Sequence, residues 1–110
     1  MNKLKKELIF LGTGTSEGVP RVSCLTNGLG CKVCNNAIEP NSKNRRHNTS
    51  ALIKISSDDT TKNILIDAGK FFYQSAIKWF PKFNINKIDG VILTHAHQDA
   101  AGGFDDLRDW

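Results

Sequence analysis

The chain has 110 residues, 15 lysines and arginines against 11 acidic residues, and a formal net charge of +4. This length suits one domain with a modest core, and 39% hydrophobic residues are typical of a globular chain rather than a disordered one. No apolar run approaches the roughly 20 residues of a membrane span or forms the core of a secretion signal. We therefore expect a cytoplasmic domain that does not bind a membrane.

The charge is distributed unevenly along the chain. Residues 1–55 have a net charge of +6 and residues 56–110 a net charge of −2. The basic half is either a solvated surface or a patch for a phosphate-bearing substrate. Its densest point is Arg45-Arg46, and no aromatic residues alternate with the basic ones as they do in stacking platforms for nucleic acids. The charge therefore leaves open a small anionic substrate as the partner, and it does not indicate nucleic acid.

Hydrophobic periodicity predicts four strands and two helices, an order typical of an α+β domain with a mixed sheet and helices packed on it. Turn residues at 57–60 predict a hairpin between the second and third strands. The predicted elements are strands at 7–12, 51–55, 63–66 and 88–93, a helix at 71–80 and a helix from 99 to 110.

Residues 13–49 show no periodicity and contain all three cysteines, Cys24, Cys31 and Cys34. An odd number of cysteines without an export signal argues against a disulfide framework. The pair Cys31-x-x-Cys34 is spaced so that both thiolates reach one tetrahedral zinc ion. Unligated thiols and a redox pair are the alternatives. A fourth zinc ligand would come from His47 or from outside this chain.

The sequence His95-x-His97-x-Asp99 directly follows the apolar strand at 88–93. If the chain remains extended, these three side chains point to the same side. Two imidazoles and a carboxylate suit zinc, manganese or iron, whereas two surface histidines are the structural alternative. Asp67 ends the strand at 63–66, where it would accept a hydrogen bond from a metal-bound histidine or its loop, or would cap a turn.

These motifs together resemble the metallo-β-lactamase superfamily, whose signature is His-x-His-x-Asp-His after a buried strand. The strand end Asp67-Ala68-Gly69 matches the upstream motif of that family. The turn at 11–14, the Gly-Val-Pro at 18–20 and the cysteine cluster resemble the cyclic phosphodiesterase (PhnP-like) branch. The resemblance spans nearly the whole chain.

The resemblance implies the first half of an αββα sandwich, with a site for one or two metals between the sheets. His95 and His97 would ligate the first metal, and Asp99 would ligate the second or orient the attacking water. Cys24, Cys31 and Cys34 would hold a separate structural zinc, completed by a downstream histidine. The implied function is phosphodiester hydrolysis by a metal-activated water.

The chain departs from the family pattern in two ways. Ala100 stands where the signature has its last histidine, with Asp105 or Asp106 as the substitute ligand to consider. Residues 1–110 would also form only part of the domain, without the downstream ligands and the second sheet. A non-catalytic, zinc-stapled fragment or binding module is therefore the alternative function. We further expect an uncovered apolar sheet face, so that the isolated chain is either marginally stable or associates through this face into a homo-oligomer.

A ribonuclease Z-like nuclease is a third interpretation. The cysteine cluster and the lack of a visible RNA-gripping arm argue against it.

Overall fold

The computed structural model describes residues 4–28, 30–104 and 107. Its four strands form one sheet in the order β1-β2-β3-β4, with antiparallel pairing from β1 to β3 and β4 parallel to β3. The predicted mixed α+β sheet is confirmed. The elements are β1 Lys5–Gly12, α1 Val22–Thr26, α2 Lys32–Asn36, β2 Ser50–Ser56, β3 Thr61–Ile66, α3 Phe72–Trp79, β4 Gly90–Ile92 and α4 Gln98–Ala101.

The core lies between one face of the sheet and α3. Ile9, Leu52 and Leu65 are cross-strand neighbours on this face and are buried. Phe72 of α3 packs against them and meets Phe80 edge-on, with ring centroids 5.9 Å apart. Burial of these side chains fixes the helix on the sheet, because removing apolar surface from water is the dominant favourable term in folding.

The opposite face of the sheet, here called the outer face, is also apolar. Two cross-strand rows form it: Leu8, Ile53 and Ile64 in one, and Phe10, Ala51, Ile66 and Ile92 in the other. Leu8 is 57% exposed and Phe10 is 63% exposed. Residues 8–11 are all apolar, as in strands that are covered on both faces, yet only the alternate residues Ile9 and Leu11 of this run are buried.

The last two elements are shorter than the sequence predicts. β4 covers three residues instead of 88–93, and it lies at the edge of the sheet, which leaves Ile92 53% exposed. The helix predicted from 99 to 110 is the four-residue α4, which ends where Gly102 and Gly103 follow. Asp105, Asp106 and residues 108–110 lie outside the described residues.

The segment 13–49 is more ordered than its lack of periodicity suggests. It contains α1 and α2, and its two ends pair with each other through backbone hydrogen bonds. The N–H of Gly14 donates to the His47 carbonyl at 2.7 Å, and the N–H of Arg46 donates to the Val19 carbonyl at 2.8 Å. Within the described ranges, no helix is long and apolar enough to cross a membrane.

Candidate metal centres

The three cysteines meet at one point of the segment 13–49. Cys24 lies in α1, Cys31 precedes α2 and Cys34 lies in α2, and their sulfur atoms lie within 4.8 Å of one another. Two sulfurs on one tetrahedral zinc stand about 3.8 Å apart, so the three free thiols fit one ion. The two helices bury only Cys34. A bound ion would supply a cross-link that they lack in their own packing.

The three thiols differ in how strongly they hold a proton. The backbone N–H of Cys34, followed by its thiol, lowers the pKa of Cys31. The pKa of Cys24 is raised, first by its hydrogen bond to the Cys34 side chain and then by burial. The N–H of Arg21 donates to the sulfur of Cys34 at 3.4 Å. A backbone N–H therefore favours the thiolate form of Cys31, which is the form that binds a metal.

His47 is not part of the cysteine group. Its Nδ1 lies 2.7 Å from Ser75 Oγ, and its ring stacks on Phe71 with centroids 5.7 Å apart. Burial, and then the charges of Lys78 and Arg45, lower the pKa of His47. Of the two sources considered for a fourth zinc ligand, the structure does not bring His47 to the cysteines, because contacts at the start of α3 hold its ring.

His95, His97 and Asp99 lie together, although the chain does not remain extended after β4. The strand ends at Ile92, His97 immediately precedes α4, and Asp99 lies in the first turn of that helix. One ligand atom from each residue lies within 4.8 Å of the others. In an extended strand, His95 and Asp99 would stand about 13 Å apart. The predicted extended geometry is wrong, and the turn into α4 is what brings the three side chains together.

The spacing and chemistry of this group fit a metal ion. His95 Nε2 lies 3.0 Å from Asp99 Oδ1, and the rings of His95 and His97 meet edge-on at 5.0 Å. Two ligands bound to one tetrahedral zinc at about 2.0–2.2 Å stand about 3.4 Å apart, so the two atoms need to separate only slightly to bind one ion. The side chains of His95 and Asp99 are 42% and 25% exposed, so the group is open to solvent on one side. Two imidazoles and a carboxylate suit zinc, manganese or iron.

Asp67 fixes the chain that leads into this group. Its Oδ1 accepts from the Thr94 N–H at 2.8 Å, and its Oδ2 accepts from the Thr94 hydroxyl at 2.7 Å. Asp67 is buried and has φ +62°, a left-handed conformation that aspartate tolerates better than most residues. Ser50 Oγ donates to the Asp67 carbonyl at 2.7 Å. Asp67 thus lies beside the histidine loop, and its contact is with Thr94 rather than with a histidine.

Thr94 determines which nitrogen of His95 faces Asp99. The Thr94 hydroxyl has one proton, which it donates to Asp67, because a carboxylate only accepts hydrogen bonds. Its oxygen also lies 2.9 Å from His95 Nδ1, so that nitrogen must be the donor in this second contact. The other ring nitrogen, Nε2, faces Asp99 Oδ1 at 3.0 Å. In a neutral ring with its proton on Nδ1, Nε2 is the nitrogen available to ligate a cation beside the carboxylate.

Backbone contacts join the segment after β3 to α4. The N–H of Ala68 donates to the Ala100 carbonyl at 2.7 Å, and the N–H of Lys70 donates to the Gln98 carbonyl at 3.1 Å. A Cβ at Gly69 would overlap the backbone oxygen of Asp99, so glycine allows this close approach. Ala100 is fully buried and offers no ligand atom, so a second metal would lack a ligand at this position.

Sequence reasoning assigned no role to Asn48. This residue connects the turn after β1 to Gly69, which lies against the backbone of Asp99. Its Nδ2 donates to the carbonyls of Thr15 and Ser16 at 3.1 and 2.9 Å. Its Oδ1 is buried without a hydrogen-bond partner among the described residues and lies close to Gly69. The signal in the sequence is the run from Arg45 to Ser50, which resembles a segment that leads into the second strand of the PhnP-like branch but does not by itself assign Asn48 a role.

This sheet, with a ligand group at the end of its last strand, is a partial metallo-β-lactamase-type fold. Residues 62–110 match the model of the beta-lactamase superfamily domain. The crystal structure of a diphosphatase from the PhnP family superposes with a TM-score of 0.70 and 33% identity, over 98% of this chain and 36% of that one. The expected resemblance to the metallo-β-lactamase superfamily and its PhnP-like branch is confirmed.

Two further relatives extend the comparison. The Zn²⁺-bound PqqB from Methylobacterium extorquens has the same fold, with a TM-score of 0.64 and 23% identity over 99% of this chain and 37% of that one. An octanoyltransferase from Porphyromonas gingivalis is 42% identical over 100 residues, which are 91% of this chain and 17% of that protein. The chain thus spans about a sixth of this curated relative and just over a third of the two solved structures.

Proposed function

We propose that the protein is a metal-dependent hydrolase that cleaves a phosphodiester or diphosphate bond with water. The observation that supports this most is the convergence of His95, His97 and Asp99 at the end of β4. The 33% identical relative, a diphosphatase, favours a phosphorus–oxygen bond as the one that is cleaved. In the proposed reaction, water forms the new bond to phosphorus, and the leaving oxygen takes the electron pair of the broken bond.

Each residue of the group has a distinct role in this proposal. His95 and His97 would hold the metal, which would polarise the phosphoryl oxygen and make water acidic enough to attack near neutral pH. Asp99 directs Oδ1 toward His95, and its other oxygen has no hydrogen-bond partner among the described residues. We assign to that oxygen the orientation of the attacking water. Asp67 and Thr94 keep the imidazole of His95 in position.

The cysteine group has a structural role in the proposal. It would bind a separate zinc that fixes α1 and α2. Thiolate ligands persist in a reducing compartment, so we place the protein in the cytoplasm. The substrate would be a small anionic molecule, in keeping with the net charge of +6 in residues 1–55.

Octanoyl transfer is not the activity we assign to this chain. The region matched in the octanoyltransferase is 17% of that protein. The named activity of a protein that is several times longer can belong to its other parts. The ligand group described here is suited to activating water rather than to forming an acyl intermediate.

A non-catalytic, zinc-stapled binding module is the second candidate function. The observation that favours it is Ala100, which is buried and leaves the histidine group with three ligands from the described residues. In that case the cysteine zinc would be the functional metal and the histidine group would not bind one.

The experiment that decides between the two measures bound metal and turnover together. Protein supplied with zinc or manganese is assayed on bis(p-nitrophenyl) phosphate and on a diphosphate ester, and its metal content is measured by elemental analysis. We expect one metal to be lost in His97→Ala and another in Cys31→Ser, with turnover lost in His97→Ala. The matched control is Gln98→Ala, an exposed neighbour outside the ligand group. Metal at the cysteines only, with no turnover, would support the binding module.

A further inference from the structure

A cavity of about 610 Å³ lies away from both ligand groups, between the end of β1, the segment 40–47 and the second half of α3. Its volume is within the range of small-molecule sites. Of the residues that the structure describes, four basic ones line it and no acidic one does. They are Lys43, Arg45, Arg46 and Lys78. The cysteines and the histidine group do not line this cavity.

The positive charge of the cavity is not neutralised by the protein. None of the four cations forms an ion pair with a carboxylate in the described part of the chain. Lys43, Arg46 and Lys78 are exposed and Arg45 is half-buried. The walls include Trp79 and Leu11, and low-dielectric walls strengthen the field of the charges between them.

The two arginines are fixed in position before any ligand binds. Arg45 donates through Nε to the Ala37 carbonyl at 3.0 Å and through Nη2 to the Ile38 carbonyl at 2.6 Å. Arg46 donates through Nη1 to Thr13 Oγ1 at 3.0 Å. A guanidinium group has five N–H donors, so each arginine retains several for a ligand. Preorganised donors of this kind reduce the entropy lost on binding.

His47 also lines the cavity, and the positive charges around it affect its pKa. Its pKa is lowered first by burial and then by the charges of Lys78 and Arg45. Its Nδ1 is engaged with Ser75 Oγ. Cations therefore lie together at this point, and no carboxylate of the described ranges balances them.

We propose that this cavity binds the diphosphate group of a small molecule, independently of either metal. Four cations around one cavity suit a group with more than one negative charge, and arginine forks match the geometry of phosphate oxygens. A concave site of this size favours a small molecule over a polymer, which would require an extended basic surface. The proposal goes beyond the hydrolase function and does not depend on turnover.

The test measures binding of inorganic diphosphate to the full-length protein by calorimetry. It is performed in the His97→Ala background, so that the histidine group does not contribute a metal-bound anion. We expect saturable binding that weakens as salt is added, because exposed charges are screened. The double variant Lys43→Gln, Lys78→Gln should weaken binding at least about tenfold, because it removes two of the four cations that line the cavity.

The matched control is the double variant Lys6→Gln, Lys82→Gln. It removes the same charge, and Lys82 contacts the Trp79 ring at 5.3 Å much as Lys78 does at 4.8 Å, but neither residue lines the cavity. This control should bind diphosphate as the parent does. Diphosphate should also raise the pKa of His47, measured by NMR, because it offsets the nearby positive charges.

Three results would overturn the proposal. The first is equal loss of binding in both double variants, which would indicate a general charge effect. The second is no binding at millimolar diphosphate. The third is tighter binding of a short oligoribonucleotide than of diphosphate, with equal sensitivity to Lys43→Gln, Lys78→Gln, which would assign the surface to nucleic acid.

Discussion

At the scale of single residues, the histidine group depends on a short chain of hydrogen bonds. Asp67 accepts hydrogen bonds from the backbone N–H and the hydroxyl of Thr94. The oxygen of that hydroxyl in turn accepts a hydrogen bond from His95 Nδ1. The outer partners of a metal-binding histidine fix its tautomer and ring orientation. Asp67 and Thr94 are therefore positioning residues for His95.

We predict that Thr94→Val changes the tautomer of His95 in the metal-free protein. Valine keeps the shape of threonine but removes the hydroxyl that accepts from Nδ1. Nitrogen NMR should show the Nδ1–H form in the parent and a mixture in the variant, and zinc affinity should fall about 10- to 100-fold. Thr94→Ser keeps the hydroxyl and is the control. An unchanged tautomer in Thr94→Val would contradict the assigned role.

Asp67→Ala should destabilise the fold by about 3 kcal/mol. It removes a buried acceptor of two hydrogen bonds and places alanine at φ +62°. Asp67→Asn should lose less stability than Asp67→Ala, because asparagine tolerates this conformation and retains one acceptor oxygen. Urea denaturation measures the free energy of unfolding of both variants. Equal losses of stability would show that the hydrogen bonds accepted by Asp67 do not stabilise the fold.

At the scale of elements, Asp89 joins the start of β4 to β3. Its Oδ2 accepts from the Asn63 N–H at 2.7 Å, and Oδ1 lies 3.3 Å from Lys87 Nζ and 3.9 Å from Lys62 Nζ. The Asn63 N–H is the main cause of a lowered pKa for Asp89, with Lys87 and Lys62 adding to it. The carboxylate is therefore stabilised in the folded state relative to the unfolded one.

The pH dependence of stability follows from this shift. The contribution of Asp89 is fully present above its unfolded pKa of about 3.9 and is lost as the pH falls through the lower folded value. Asp89→Asn should therefore melt lower than the parent at pH 7, and the difference should shrink below pH about 4. Thermal denaturation across this range tests it, with Asp58→Asn in the β2–β3 turn as the control. A difference in melting temperature between Asp89→Asn and the parent that does not change with pH would contradict the link to the lowered pKa of Asp89.

At the scale of the whole molecule, the sheet has one covered face and one uncovered face. The inner face packs on α3, whereas Leu8 and Phe10 on the outer face are more than half exposed. Contiguous apolar patches of this kind mark surfaces that bind another layer or another molecule. In the isolated chain, we expect the outer face to be the surface through which copies associate.

We predict that the isolated 110-residue chain associates through the outer face and binds a hydrophobic dye. Leu8→Lys should shift its mass in solution toward that of the monomer and reduce dye fluorescence, because a charge is costly to bury without a partner. Ile77→Lys introduces the same charge at a 58% exposed position of α3 and should leave the association unchanged. A monomeric parent that does not bind the dye would contradict the prediction.

Much of the fold was predictable from local pattern. The apolar runs located all four strands, and the spacing of Phe72, Ala76 and Phe80 located α3. The hydrophobic pattern did not predict where elements end when tertiary contacts decide their ends. β4 is short at the edge of the sheet, and α4 ends at two glycines. The helices α1 and α2 have no apolar stripe, since only Cys34 is buried in them.

The sequence alone determined which residue types gather at the two candidate metal centres, because ligand chemistry depends on side-chain identity and close spacing. Only the tertiary structure decided how they meet. The turn into α4 brings Asp99 to His95, and Asp67 reaches Thr94 from another strand. His47 lies at α3 rather than at the cysteines, and four cations from separate segments line one cavity. Contacts between residues far apart in the chain depend on packing, which local sequence pattern does not encode.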